Sequence, residues 1–364
     1  MFKTYNFSAG PAMLPKTVMR KAQKEFLNWK NTGFSVIEIS HRSKNFYNTI
    51  KNAEKILRKL LKISEKYAVL FCHGGARGQF STIPMSFIHN NYEKADYINS
   101  GYWSKSAFLE AKKYCNANKI NVKQLKKNKK IIIPMKKWKL NNESKYVHYC
   151  PNETIEGISI YEEPNFFSKK IIIGDFSSTL LSRVININKY SLIYAGAQKN
   201  IGPSGITLII LKKNLIKNIN NKIVPSILNY STLLENESLF NTPTTFSWYL
   251  SGLVFKWLKK IGGLKKIQKI NSKKSNLLYN TIDKSDFYFN NVGKKNRSKM
   301  NIVFNTPNEK LDNLFIQESE KKGLFFLKNH YLIGGLRASI YNSMPFKGVK
   351  KLVKFMIFFE KIYG

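Results

Sequence analysis

Residues 191–203 read Ser191-Leu192-Ile193-Tyr194-Ala195-Gly196-Ala197-Gln198-Lys199-Asn200-Ile201-Gly202-Pro203. The segment begins with a short apolar run, and residues 206–211 form a second one, so both are expected to be buried strands. Lys199 then lies on a loop of small residues between them. Desolvation there lowers the pKa of the amine, and a neutral amine attacks carbonyl groups. The setting predicts a Schiff-base lysine, against the alternative of a solvated loop lysine.

Further apolar runs alternate with helical stretches along the first two thirds of the chain. Helices are expected over residues 15–29 and 46–61, and strands over the apolar runs 67–72, 97–103, 146–150 and 170–174. Such alternation predicts an α/β fold with a mostly parallel sheet covered on both faces. The lysine-dense stretch 123–139 is expected to be an exposed loop with an edge strand.

The domain organisation follows from a glycine pair after a long helical stretch. Gly262 and Gly263 suggest a boundary, which gives an N-terminal segment 1–15, a large domain 16–261 and a smaller α+β domain 262–364. The last helix, over residues 349–362, is amphipathic and is expected to pack on the smaller domain.

The charge and cysteine content restrict the possible classes. The net charge is +39, but seven of the 61 basic residues are arginines and the other 54 are lysines, which are dispersed. Nucleic-acid readers favour arginine, so we interpret the charge as compositional and expect no specific nucleic-acid partner. Three widely spaced cysteines suggest neither a disulfide framework nor a metal site. The cysteine pattern makes a reducing cytoplasm the expected location, and the sequence shows neither an apolar signal core nor a membrane-length run.

Five predicted strand ends carry unusual residues, and ligands of open α/β sheets gather there. A glycine-rich turn with Arg77 would hold a phosphate, Trp103 would stack on a flat ring, and Thr154 would hydrogen-bond the ligand. Asp175 would keep a pyridine nitrogen protonated, and Lys199 follows 24 residues later. Each residue alone has an ordinary structural explanation. Together they predict a site for pyridoxal 5′-phosphate.

The chain also resembles the phosphoserine aminotransferases, a family of class V aminotransferases. The resemblance covers essentially the whole chain and rests on the motifs at 6–15, 40–42, 71–80, 148–154, 196–203, 240–243 and 337–342. It implies the PLP-dependent transferase fold type I, with a seven-stranded-type sheet in the large domain, and a homodimer with its active site at the interface. The implied reaction is amino transfer between glutamate and 3-phosphohydroxypyruvate in serine biosynthesis. A related reaction in pyridoxine biosynthesis, on 4-phosphohydroxythreonine, is possible on the same grounds.

The resemblance also implies roles for individual residues. Lys199 would form the Schiff base and move the substrate proton in ping-pong kinetics. The implied cofactor contacts are Ala76, Arg77, Trp103, Thr154, Asp175, Gln198, Lys199 and, from the partner subunit, Asn241 and Thr242. The implied substrate contacts are Ala9, His41, Arg42, Arg77, His330 and Arg337. Among them, Arg337 would hold the α-carboxylate, and His41, Arg42 and His330 the distal anion.

Two positions depart from the family pattern. Ala9 replaces a serine of some members, with little expected loss if the backbone makes the contact. Tyr331 stands where members commonly have arginine, which removes a donor for the distal anion and would cost about 1.5–3 kcal/mol if nothing replaces it.

Several alternatives remain open at this stage. The chain could be another class V aminotransferase, or a cysteine desulfurase, although Cys72, Cys115 and Cys150 are poorly placed for a mobile nucleophile. From other classes, it could be a basic nucleic-acid-binding protein or an enzyme that has lost its activity.

Overall fold

The computed structural model describes residues 4–165 and 170–364. Within these ranges the helices α1 to α9 are, in chain order, Lys16–Lys24, Lys44–Leu61, Gly75–Phe87, Tyr102–Ala111, Tyr230–Glu235, Thr245–Lys260, Gly263–Asp283, Glu309–Lys321 and Phe346–Tyr363. The strands β1 to β15 are Tyr5–Asn6, Tyr67–Cys72, Lys94–Asn99, Asn116–Asn121, Lys123–Lys126, Lys129–Ile132, Tyr146–Tyr149, Asn152–Glu153, Ile158–Ser159, Ile171–Asp175, Leu192–Gly196, Thr207–Lys212, Asn301–Phe304, Leu324–Phe325 and Leu336–Ser339.

A seven-stranded sheet in the order β2-β12-β11-β10-β7-β3-β4 forms the centre of the protein. Neighbours β11, β10, β7, β3 and β4 pair in parallel, whereas β12 is antiparallel to both β11 and β2. The mostly parallel α/β sheet predicted from the sequence is therefore confirmed. The antiparallel strand follows directly from the loop at 197–206, which returns the chain beside β11.

Side chains of the central strands alternate between two apolar clusters, one on each face. Along β2, Val69 and Phe71 join a cluster that includes helices α2 and α6, while Leu70 joins one that includes α3 and α5. The same division places Ile193 on the first face and Leu192 on the second. Burial on both faces explains why these strands are continuous apolar runs in the sequence.

A third apolar cluster lies in the C-terminal part of the chain. It joins α7, α8, α9, β13 and β15, and it also contains Tyr5 and Phe7 from the N-terminus. Strand β1 pairs in parallel with β14, so the first described residues pack on the C-terminal part. The predicted division into 1–15, 16–261 and 262–364 stays a prediction.

Two local expectations were wrong. The helix expected over residues 15–29 ends at Lys24, although Trp29 remains fully buried and packs edge-on against Tyr249 with 6.1 Å between ring centres. The periodicity there marked buried side chains rather than a continuous helix. The stretch 123–139 is largely exposed as expected, but its strands form a separate hairpin, β5–β6, and not an edge of the central sheet, whose edges are β2 and β4.

The described helices differ in length and in apolar character. None of them is long and apolar enough to cross a membrane.

Candidate active site

A cavity of about 420 Å³ opens where the carboxyl ends of the central strands meet. We call it the strand-end cavity. Parallel strands bring the residues that follow them to one edge of the sheet, which is why segments distant in sequence converge here. Its lining residues are Ala9, Gly10, Gly74, Gly75, Ala76, Arg77, Trp103, Asn152, Thr154, Ile155, Asp175, Ser177, Ser178, Gln198, Lys199, His330 and Arg337.

Lys199 lies in the wall of this cavity, directly after β11. A tight turn presents it, because the amides of Lys199 and Gly202 both donate to the carbonyl of Ala197, at 2.7 and 2.8 Å. Burial lowers the pKa of Lys199. The negative charge of Asp175 opposes this shift, and the positive charge of Arg337 adds to it. The geometry therefore favours an amine that exchanges its proton more readily than a surface lysine does.

Asp175 ends β10 and is almost fully buried. The amide and hydroxyl of Ser177 both donate to its Oδ1, at 2.9 and 2.6 Å. Burial raises the pKa of Asp175, while the Ser177 hydrogen bonds and the charge of Lys199 lower it. Tyr194 also hydrogen-bonds Asp175, and its hydroxyl lies 2.8 Å from Nε2 of the buried His148. This network fixes the carboxylate at the floor of the cavity.

Trp103 lies in the first turn of α4, and not in a loop at the end of a strand as the sequence suggested. Its indole N–H donates to the Thr154 hydroxyl at 2.7 Å, which fixes the plane of the ring. The Arg77 guanidinium lies 5.2 Å from the ring centre, and Nζ of Lys199 lies 5.8 Å from it. The indole therefore forms one wall of the cavity, with both cations close to its ring.

Glu153 and Glu156, two residues for which the sequence alone predicts no role, support Trp103 from behind. Glu153 accepts from the backbone amides of Trp103 and Ser104 at 2.9 and 3.0 Å, and Glu156 accepts from the amide of Tyr102 at 2.7 Å. Burial raises the pKa of both, that of Glu156 to about 7 with a contribution from Glu153's charge. Two carboxylates at a helix N-terminus complement its dipole.

The sequence contained a signal for this arrangement. Glu153 belongs to the motif at residues 148–154. Gly101 immediately precedes α4, the helix that Glu153 supports. A side chain at Gly101 would have its Cβ 2.6 Å from Cδ of Glu153, so the close approach requires glycine. A glycine that immediately precedes a helix, where no turn requires it, therefore indicates a close contact of this kind.

The glycine-rich turn leads into the N-terminus of α3. Gly74 and Gly75 have φ angles of +88° and +65°, which favour glycine. Gly74, Gly75, Ala76 and Arg77 all line the cavity, so the N-terminus of α3, whose first backbone amides have no partner within the helix, borders it. An anion held here would meet amide donors, the helix dipole and a guanidinium.

Arg337 approaches the cavity from β15. One of its terminal nitrogens lies 3.4 Å from the carbonyl oxygen of Thr154, while its buried Nε has no partner in the described structure. Burial lowers the pKa of Arg337. A buried guanidinium nitrogen without an acceptor is costly, and an anionic ligand in the cavity would supply one.

His330 also lines the cavity, and its neighbour Tyr331 points outward. The His330 ring lies 5.4 Å from that of Tyr102 and stacks on Tyr331 at 4.5 Å. Tyr331 is 82% exposed. Gln198 and Ala9 complete the set of predicted residues that line the cavity.

Four predicted site residues lie elsewhere in the chain. His41 and Thr242 line a second cleft of about 490 Å³, together with residues 37–40 and 243–247. We call this the outer cleft. Arg42 and Asn241 are exposed beside it. Nε2 of His41 is buried and has no described partner. One chain alone therefore does not bring His41 and Arg42 together with His330.

Comparison with known proteins agrees with this site. Residues 4–352 match the family model of the class-V aminotransferases, and the chain belongs to that family. A phosphoserine aminotransferase of Buchnera aphidicola subsp. Acyrthosiphon pisum (strain Tuc7) is 60% identical over 360 residues, which cover 99% of both chains. The resemblance to phosphoserine aminotransferases stated from the sequence motifs is thus confirmed.

Solved structures give the same result. The phosphoserine aminotransferase from Bacillus circulans subsp. alkalophilus has a TM-score of 0.94 and 39% identity, over 100% of this chain and 99% of that one. A PLP-bound phosphoserine aminotransferase from Trichomonas vaginalis has a TM-score of 0.91 and 35% identity, over 98% and 100% of the two chains. The fold is therefore that of PLP-dependent aminotransferases, and the protein is a transaminase.

Proposed function

We propose that this protein transfers the amino group between glutamate and 3-phosphohydroxypyruvate, giving phosphoserine and 2-oxoglutarate. The observation that carries the proposal is the meeting of Lys199, Asp175, Trp103 and Arg337 around one cavity. The relatives at 60% identity, which are named for phosphoserine, support the choice of substrate. We place the reaction in serine biosynthesis.

The residues of the strand-end cavity fit pyridoxal 5′-phosphate. Lys199 is the amine that would bind its aldehyde, and Asp175 is the carboxylate that would hold its ring nitrogen. Trp103, held by Thr154, would stack on the ring, and the amides of α3 beside Ala76 would hold the phosphate. When bound, the cofactor supplies an electron sink for the carbanion that forms at the substrate's α-carbon.

The protein's own groups then bind the substrate and move its proton. Arg337 is proposed to hold the α-carboxylate by a bidentate contact that also satisfies its buried Nε. Lys199 Nζ is proposed to remove the proton from the substrate's α-carbon, and its lowered pKa favours the neutral amine that this step requires. Gln198 and Arg77 complete the polar wall around the reacting groups.

The active form is proposed to be a homodimer with the site at the interface. The two residues expected to reach the cofactor phosphate, Asn241 and Thr242, are exposed in the single chain. Thr242 shares the outer cleft with His41, so one surface carries both sets. We infer that the outer cleft of a second copy closes the strand-end cavity, where His41 and Arg42 would join His330.

The distal anion of the substrate is proposed to lie at this junction. Arg42, His41 and His330 would surround it, and the backbone at Ala9, which lines the cavity, would contact the substrate. Tyr331 offers a hydroxyl where an arginine would offer a charged fork. Phosphate binding is therefore expected to be weaker than an arginine at position 331 would allow.

Location and a second reaction are further parts of the proposal. All three cysteines are buried and free, which supports a reducing, cytoplasmic setting. A site that accepts a phosphorylated amino acid is also compatible with 4-phosphohydroxythreonine of pyridoxine biosynthesis. The alternative within the family is a class V aminotransferase for another amino acid.

A substrate panel on the purified holoenzyme distinguishes transamination of phosphoserine from the alternative, a class V aminotransferase for another amino acid. Glutamate is kept as the amino donor, and the acceptors are 3-phosphohydroxypyruvate, its unphosphorylated form and glyoxylate. We expect the highest kcat/KM with the phosphorylated acceptor, by at least about tenfold over the unphosphorylated one, because one charged hydrogen bond contributes that much. Equal or higher kcat/KM with an unphosphorylated acceptor would overturn the assignment.

A further inference from the structure

A second polar cavity lies apart from the strand-end cavity, between the segment after β10 and helix α7. Its volume is about 130 Å³, and it is lined by Ser159, Tyr161, Thr179, Ser182, Arg183, Val184, Gln268, Asn271, Lys299 and Met300. We call it the anion cleft. Its space suffices for several waters or for one tetrahedral oxyanion. It shares no lining residue with the strand-end cavity or the outer cleft.

Two cations line this cleft beside one aromatic ring. The Arg183 guanidinium and Nζ of Lys299 both lie 5.6 Å from the centre of the Tyr161 ring. Neither side chain forms an ion pair with a residue that the structure describes. Nζ of Lys299 donates to the Ser272 hydroxyl at 3.3 Å, a neutral partner that leaves its charge uncompensated, and a bound anion would attract both cations.

Two buried polar atoms of the lining also lack partners in the described structure. They are the hydroxyl of Thr179 and the carboxamide oxygen of Asn271, in residues that are 7% and 2% exposed. The carboxamide nitrogen of Asn271 already donates to the carbonyl of Ser182 and to Oδ1 of Asn342, so its oxygen is fixed as an acceptor. The cleft thus offers a hydroxyl donor, two cations and one buried acceptor.

This set of groups matches an oxyanion that also carries a proton. We propose that the anion cleft binds hydrogen phosphate, with Arg183, Lys299 and the Thr179 hydroxyl as donors and Asn271 Oδ1 as the acceptor of the phosphate's own O–H. Sulfate has the same size and shape but no proton at neutral pH. It would leave Asn271 Oδ1 unsatisfied, so the cleft discriminates between the two ions.

Occupancy of the cleft would reach the strand-end cavity through a chain of hydrogen bonds. The side-chain nitrogen of Asn271 donates to Oδ1 of Asn342 at 2.8 Å. The backbone amide of Asn342 donates to Oδ1 of Asn200 at 3.0 Å. Asn200 directly follows Lys199. A phosphate that fixes Asn271 therefore also fixes the turn that presents the lysine.

Isothermal titration of the PLP-saturated protein with inorganic phosphate tests the proposal, with sulfate titrated in parallel at matched ionic strength. Phosphate also meets cations in the strand-end cavity, so variants isolate the cleft. Arg183→Met is compared with Arg20→Met, which removes the same charge from an exposed helix position. Lys299→Met, at an exposed residue, gives a second variant that leaves the core intact and is compared with Lys295→Met.

We expect Arg183→Met to weaken one class of phosphate sites roughly tenfold or more, and Lys299→Met to weaken it about threefold, with both controls unchanged. Sulfate should bind this class at least about fivefold more weakly than phosphate. Identical titrations for Arg183→Met, Lys299→Met and the controls would mean that the cleft holds only water, and would overturn the proposal. Equal affinity for sulfate and phosphate would overturn the role of Asn271.

Discussion

The strand-end cavity and the outer cleft differ in how complete they are. The cavity gathers its predicted cofactor residues within one chain, and its groups are buried and mutually oriented by short hydrogen bonds. The outer cleft carries His41 and Thr242 on an open surface, and Arg42 and Asn241 beside it are exposed. A buried imidazole nitrogen without a partner remains at His41. The strand-end cavity therefore contains the predicted cofactor residues of one chain except Asn241 and Thr242. The outer cleft carries exposed site residues, which we propose contribute to the cavity of a second copy.

This difference separates two kinds of residue. Groups that act on the reacting atoms are held by the sheet of their own chain, because catalysis requires fixed geometry. Of the groups proposed to recognise the distal end of the substrate, His330 lines the strand-end cavity, whereas His41 and Arg42 lie at the outer cleft. Substitutions in the strand-end cavity and in the outer cleft test this separation, and Lys199 is the group whose loss should affect the reaction most.

Lys199→Ala should remove almost all transaminase activity. Without the amine, no group in the strand-end cavity can bind the cofactor covalently and move the α-proton, so kcat should fall by at least about 1,000-fold. The absorption band of the cofactor–lysine Schiff base, which borohydride removes from the wild-type protein, should be absent. Lys295→Ala is the control, since this lysine is exposed. An activity within tenfold of wild type would refute the role of Lys199.

Arg42→Met should lower kcat/KM for the phosphorylated substrate by about 10- to 100-fold, because one charged hydrogen bond to the distal anion is lost. Mixing it with Lys199→Ala under conditions that exchange subunits tests where Arg42 acts. If it acts across the interface, half of the random dimers carry one wild-type site, and activity returns to about a quarter of wild type. A mixture no more active than the sum of its parts would place Arg42 in its own chain's site.

The sequence predicts which residues meet in the strand-end cavity better than it predicts which residues lie in the outer cleft. Lys199 and Asp175 end apolar runs whose length and composition identify buried strands, and parallel strands must bring such ends together. No local pattern distinguishes a residue that serves its own chain from one that serves a second copy. His41 was therefore grouped with His330, although the single chain keeps them apart.

Supporting contacts were also beyond the reach of the sequence. Glu153 acts through its position behind the start of α4, and only the pairing of β7 with β3 and the contact of β8 with α4 place it there. The hairpin β5–β6 was misplaced for a related reason. Its apolar residues 131–133 fit an edge strand equally well, and pairing partners distant in sequence decide which sheet a short strand joins.

Tyr331→Arg should lower the KM for phosphoserine by up to about tenfold, with little change in kcat. The new guanidinium would lie beside His330, where the two halves of the site are proposed to meet. Steady-state kinetics with phosphoserine and with glutamate measure the effect, and Tyr331→Phe serves as the control for loss of the hydroxyl. An unchanged KM in Tyr331→Arg would mean that the distal anion lies elsewhere.

A separate expected effect is the pH dependence of unfolding that arises from Lys274, which holds the segment after β15, the strand of Arg337. Lys274 is fully buried, and its Nζ donates to the carbonyls of Ile340, Tyr341 and Met344 at 2.9, 2.7 and 3.1 Å. Burial lowers the pKa of Lys274 to about 7. A lysine in the unfolded chain titrates near about 10.4, so between these values the unfolded state binds more protons. The free energy of unfolding should therefore rise with pH in this window, by at most about 1.4 kcal/mol per pH unit from this group.

Denaturant unfolding of the holoenzyme at several pH values between 7 and 10 measures this slope. Lys274→Met should give a flatter curve than wild type, because its uncharged side chain takes up no proton on unfolding. Lys273→Met, at the exposed neighbouring position, should keep the wild-type slope. Parallel curves for wild type and Lys274→Met would show that Lys274 stays charged in the folded protein, held by its three carbonyl acceptors. The fixed position of the segment after Arg337 would then depend on an ammonium group rather than on a neutral amine.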